Sequence, residues 1–179
     1  MAINSTGSSS KQTSTLPFPD IFYLIHGILM VLAWFVLALF GSLTARFGSA
    51  IYGNRWFPIH VGIMISVILM TITAAAFAFV KSGIKLNQPH NVIGVVVTVA
   101  AFPQGILGYL IHVLYDPDRE STPWYDWLHR ILGYVLVPLA IFNCILGFLR
   151  YKGGLVIWIA VIATTAVLIV IYFVVGYMR

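Results

Sequence analysis

Residues 90–115 read HNVIGVVVTVAAFPQGILGYLIHVLY. Between its two histidines the stretch is apolar on every face from Val92 to Phe102. A strand of a membrane barrel alternates apolar and polar residues, so this pattern is that of a helix. About 20 apolar residues suffice to cross a bilayer, and the stretch is long enough. Four further runs of this kind lie at roughly 21–45, 56–80, 124–149 and 154–178. Across all 179 residues, 60 % are hydrophobic and only 8 % are charged, against about a quarter charged in an ordinary soluble domain. The missing charge implies a surface that faces lipid. The sequence therefore predicts an all-α integral membrane protein with five transmembrane helices.

Punctuation between the runs agrees. Residues 1–19 (MAINSTGSSSKQTSTLPFP) have the composition of a flexible polar tail or linker and nothing to bury. They read as a tail rather than a cleavable signal, because the first apolar run is long enough to span. Residues 20–179 form the transmembrane domain. Pro19 and Asp20 suit a helix start, as do Thr122 and Pro123. Turns are expected at Gly48–Asn54 and Gly83–Pro89, and a short basic one at 150–154. The loop from Tyr115 to Asp126 holds Asp116, Asp118, Glu120 and Asp126, four of the five carboxylates, and reads as solvated. Charge does not orient the chain. Arg46, Arg55, Arg119, Arg130 and Arg179 fall on one side, against Lys11, Lys81, Lys85, Arg150 and Lys152 on the other. The single cysteine, Cys144, lies inside the fourth run, so no disulfide forms within the chain. Nothing marks a nucleic-acid partner. A phosphate loop, a catalytic triad and a cysteine-rich metal motif are all missing.

The histidines carry the functional signal. Ionisable groups inside membrane spans are costly and are functional suspects by default. Each of the first four runs has one histidine near its own N-terminal end: His26, His60, His90 and His129. Successive helices alternate in direction, so His26 and His90 belong near one membrane face and His60 and His129 near the other. Opposed imidazoles inside a four-helix core leave room for a flat macrocycle, which predicts two haems b per chain with the four histidines as the iron ligands. Ligation by two histidines saturates the iron and favours electron transfer. Any one histidine taken alone reads equally as a hydrogen-bonding helix contact.

Four residues on, one turn away on the same face, stand Met30, Met64, Gly94 and Gly133. The glycines would let a porphyrin approach, and the methionines would pack at a ring edge. Eighteen residues on stand Thr44, Ala78, Gly108 and Gly147, all small. They would meet the second haem or serve plain helix packing. His112 belongs near the opposite face from His90, as an interfacial residue or a partner of a haem propionate. Arg46, Arg55 and Arg130 lie on the His60/His129 side, where they would pair with propionates or an anionic reductant, or simply snorkel.

The motifs FYLIHGILM, RWFPIHVGIM, NQPHNVIG with PQGILGYLIH, and WLHRILGY, in this order, resemble the cytochrome b561 family over nearly all of residues 20–179. The likeness is greatest to the cytochrome b561 domains that follow a DOMON domain in eukaryotic, notably fungal, proteins. The resemblance implies that His26 pairs with His90 and His60 with His129. It implies transmembrane electron transfer from a cytosolic donor such as ascorbate to ferric ion, monodehydroascorbate or a redox protein domain. It also implies a plasma-membrane protein with the N-terminus outside, so that the His60/His129 haem lies on the cytoplasmic side. No DOMON domain stands within residues 1–19, so the chain is either a piece of a larger DOMON-type protein or a stand-alone form, which leaves the acceptor open; a homodimer stays open too. Two other readings remain: a quinol-linked cytochrome b subunit, and a non-redox module whose histidines bind a metal or move protons.

Overall fold

The computed structural model describes residues 20–151 together with Ile162 and Ala166. The tail at 1–19 and the fifth apolar run at 154–178 lie outside this set, apart from those two positions. Every element among the described residues is helical. Helix α1 (Ile21–Val31) passes through a π-helical turn (Leu32–Leu37) into α2 (Ala38–Tyr52). A 3₁₀ turn (Gly53–Arg55) leads to α3 (Trp56–Ser82), followed by α4 (Pro89–Val113) and α5 (Trp124–Tyr151).

Local chemistry explains these boundaries. Asp20 caps α1, its carboxylate accepting from the Phe22 N–H at 3.1 Å. The turn expected at Gly48–Asn54 is shorter than its composition implies. Gly48 is buried inside α2, and the chain reverses at Gly53, whose φ of +55° is open to glycine and strained for other residues. Gly83, at φ +66°, ends α3 in the same way. Pro89 occupies the first turn of α4, where its missing N–H costs nothing. Pro103 and Pro138 lie inside α4 and α5, as membrane helices tolerate.

Among the described residues, three continuous helical stretches are long and apolar enough to cross a membrane: Ile21–Ser82, Pro89–Val113 and Trp124–Tyr151. The first has 62 residues and folds back on itself at Gly53, since α3 packs along both α1 and α2. An ion pair between Asp20 and Lys81 closes the far end of this hairpin. Helices α4 and α5 form a second hairpin. Between the two sits an apolar core that includes Met30, Ala33, Trp34, Phe35, Val67, Val97, Leu136 and Ala140. Large apolar side chains such as Ile65, Leu69, Val99, Ile106 and Val135 point outward and stay exposed, a surface suited to lipid and not to water. The chain is a multi-pass membrane protein.

Candidate functional site

All four histidines of the helix N-terminal ends bond a carbonyl on the helix beside them. His26 Nδ1 lies 2.8 Å from Ala74 O and His60 Nδ1 lies 2.9 Å from Gly41 O. His90 Nδ1 is 3.0 Å from Asn143 O and His129 Nδ1 is 3.1 Å from Gln104 O. A carbonyl only accepts, so in each case Nδ1 carries the proton and donates. That fixes the tautomer and leaves the lone pair of Nε2 free. Metal-ligating histidines are oriented by the same kind of bond.

The register of these bonds repeats. Ala74 follows His60 by 14 residues, Gln104 follows His90 by 14, and Asn143 follows His129 by 14. Gly41 follows His26 by 15, and the π turn at Leu32–Leu37 lies between them. A π turn takes in one more residue than an α turn, so the bulge absorbs the extra residue. It brings the Gly41 carbonyl to the position that the unbulged helices reach in 14. Within each hairpin, each helix gives one histidine and one accepting carbonyl to the other.

At one end of the bundle two of the rings come together. The centres of His26 and His90 are 6.1 Å apart with their planes at 87°. First-row metals bind imidazole nitrogen at about 2.0 Å, which with about 1.2 Å from nitrogen to ring centre puts two opposed rings about 6.4 Å apart. The pair thus has the spacing for one metal centre between its free nitrogens. Around it lies a cavity of about 680 Å³ lined by both histidines, Met30, Ala78, Gly94 and Gly147, with Lys85 and Arg150 also on its wall. A volume of this size accommodates a cofactor. At the other end His60 and His129 are close enough to interact electrostatically. The residues present therefore fit a haem between His26 and His90.

A sequence profile for eukaryotic cytochrome b561 matches residues 25–152, which include all four histidines and both hairpins. The chain belongs to the cytochrome b561 family. A cytochrome b561 and DOMON domain-containing protein of Arabidopsis thaliana is 26 % identical over 153 residues, covering 79 % of this chain and 40 % of that protein. Ferric-chelate reductase 1 of Bos taurus is 29 % identical over 126 residues, covering 66 % and 21 %. Its counterpart in Homo sapiens is 26 % identical over 127 residues, covering 66 % and 22 %. The chain spans less than half the length of these relatives. No solved structure gives a significant match. Cytochromes b561 are membrane haem b proteins of electron transport, and the helical bundle is of that kind.

In this b561 bundle two side-chain amides matter: Gln104, inside the PQGILGYLIH motif, and Asn143, outside every motif. The Gln104 amide donates to the backbone oxygen of His129 at 2.9 Å, returning the bond that its own carbonyl receives from the His129 ring. Asn143, with its amide turned to satisfy both ends, donates to the His90 carbonyl at 2.9 Å and accepts from the Gly94 N–H at 3.2 Å. Each is a reciprocal clamp on one histidine of one pair. An amide buried in an apolar helix, 14 residues after a histidine, is the signal that would have found them.

The clamps also explain the small residues. A Cβ on Gly94 would lie 3.2 Å from the end of the Asn143 amide, and one on Gly133 would lie 3.2 Å from the amide nitrogen of Gln104. These glycines make room for the amides; Gly94 lines the cavity as well. Gly147 and Gly108 carry the imidazoles of His90 and His129, and Gly147 also lines the cavity around His26 and His90. Each lies one turn beyond an accepting carbonyl, where a side chain would block the ring. The equivalent residue on the bulged helix is Ala45, one place after the expected Thr44, which is buried and bonds Phe40 O.

Met30 is buried on the cavity wall and Met64 packs against Gly41. Arg46, Arg55 and Arg130 are all exposed, with Arg46 over the Phe47 ring at 5.3 Å and Arg130 over Trp127 at 5.7 Å. His112 is exposed and stacks on Phe57 with centres 4.9 Å apart. The acidic loop is not solvated throughout. Asp126 is 3 % exposed, in the first turn of α5, because Arg119 folds back onto it at 2.7 Å.

Proposed function

We propose that residues 20–179 form a five-helix transmembrane domain that holds two haems b, one between His26 and His90 and one between His60 and His129. It carries electrons across the membrane between them. The observation that carries this reading is the shared protonation of the four imidazoles: each Nδ1 donates to a carbonyl, and each Nε2 is left to ligate. Bound haem supplies reversible one-electron chemistry at iron. The chain holds both ligands of each pair on facing helices and excludes water with the apolar core between the two ends. Two histidines per haem would saturate the iron, which would favour electron relay over oxygen chemistry.

The donor is a cytosolic small reductant such as ascorbate, on the His60/His129 side. The acceptor is ferric ion, monodehydroascorbate or a redox protein outside; the ferric-chelate reductase name of two relatives supports ferric ion. At the donor face Arg46, Arg55 and Arg130 attract an anionic reductant or pair with propionates. The N-terminus lies outside a plasma membrane.

Single substitutions test the pairing. His26→Ala and His90→Ala should each remove the same haem, and His60→Ala and His129→Ala the other. Retention of both haems with unchanged potentials in any of the four would overturn it. A two-haem protein reduced by quinols and indifferent to ascorbate would move the donor assignment to a membrane quinol.

A further inference from the structure

The carboxylate of Asp126 and the guanidinium of Arg119 make a pair that neither the haem ligands nor the clamps require. Asp126 stands three residues before His129, so the two side chains share one face of α5 about a turn apart, and they interact electrostatically. The partners sit in different surroundings. The Asp126 side chain is 4 % exposed and that of Arg119 is 26 % exposed. Water screens the cation more than the anion. The Asp126 Oδ1 and Arg119 Nη1 atoms are both buried without a hydrogen-bond partner among the described residues. The contact is thus single-stranded where a bidentate fork would neutralise the carboxylate more fully. Arg130, beside His129, carries the opposite charge but is exposed over Trp127 and so is screened by water as well. The buried Asp126 carboxylate is the least screened charge near His129 among the described residues.

We propose that Asp126 is a positioning residue for charge: buried at the start of α5 and paired at one oxygen with Arg119, it lowers the reduction potential of the haem at His60/His129 and leaves the distant haem unaffected. The inference rests on the two-haem reading above. Adding an electron to iron makes the site more negative, so a fixed anion nearby favours the oxidised form. At an effective dielectric of about 20, a unit charge about 10 Å away shifts a one-electron equilibrium by roughly tenfold to twentyfold. No group is transferred and no proton need move.

The test is a potentiometric titration of the full-length chain in detergent or nanodiscs, after haem content has been measured on each sample. Asp126→Asn should shift the reduction equilibrium of one haem by about tenfold towards the reduced form. Asp126→Glu should restore most of the wild-type value. Arg119→Gln, which removes the compensating cation, should move the same haem the opposite way. This variant keeps the test decisive if Asp126→Asn does not fold. A wild-type protein with no haem would overturn the two-haem reading and this inference with it. Two haems whose potentials are unchanged in the variants, or move together, would overturn the inference alone.

Discussion

Gly147→Ala is the sharpest probe of how the bundle holds a ligand. A Cβ at this position would lie 2.9 Å from His90 Cε1, 3.4 Å from Nδ1 and 3.5 Å from Nε2. Ordinary contact begins near 3.4 Å, so the ring must retreat by about 0.5 Å. It cannot slide freely, because Nδ1 is tied to Asn143 O at 3.0 Å. Overpacking of this kind costs about 1–3 kcal/mol. Taken from ligand geometry, that weakens haem retention at His26/His90 by roughly fivefold to 150-fold. The helix itself gains, since alanine is favoured over glycine by about 1 kcal/mol within a helix. The two effects have opposite signs, so misfolding does not mimic the result. The assay is haem titration into protein made under haem limitation, read by reduced-minus-oxidised spectra. Gly108→Ala is the internal comparison: its Cβ would stand 3.2 Å from His129 Cε1, and it should weaken the other haem less. Equal and undiminished retention of both haems in Gly147→Ala would refute the reasoning.

Further outcomes follow from the same geometry. Asn143→Leu should perturb the spectrum and potential of the His26/His90 haem alone, and Gln104→Leu those of the His60/His129 haem alone; resonance Raman or electron paramagnetic resonance resolves the two. Deleting Val36 from the π turn gives the first helix the 14-residue spacing of the others, so both haems should remain. Deleting the exposed Val135, between His129 and Asn143, should cost a haem; the reverse outcome would sink the register argument. Asp20, hydrogen-bonded to Lys81, has its carboxyl held below the ordinary 3.8. A lowered value in the folded state means the pair stabilises above the unfolded value and is lost as pH falls through the folded one. Lys81→Gln should therefore make the start of α1 fray at higher pH in an acid titration followed by NMR; because the pair is exposed, the effect on overall stability should be small.

Much of this was legible in the sequence because membranes impose simple rules. Backbone groups must be satisfied within a span, so long apolar runs become helices, and four of the five expected runs correspond to the helices from Ile21 to Tyr151. Helix direction alternates, so the position of each histidine along its run already paired His26 with His90. Three things escaped. The π turn leaves no mark in composition, because Leu32–Leu37 are as apolar as their neighbours; it shows only as a 15-residue spacing beside three of 14. The amides of Asn143 and Gln104 went unseen because a missing side chain at Gly94 and Gly133 does not say what stands beside it. Asp126 was counted with its acidic loop, whereas the first turn of α5 and the return of Arg119 bury it.

The most direct test of the central claim is the ratio of haem to protein in purified chain, with reduced-minus-oxidised spectra recorded on adding ascorbate and then dithionite. Two b-type haems per chain, at least partly reduced by ascorbate, is the predicted result. Folded protein without haem would contradict it.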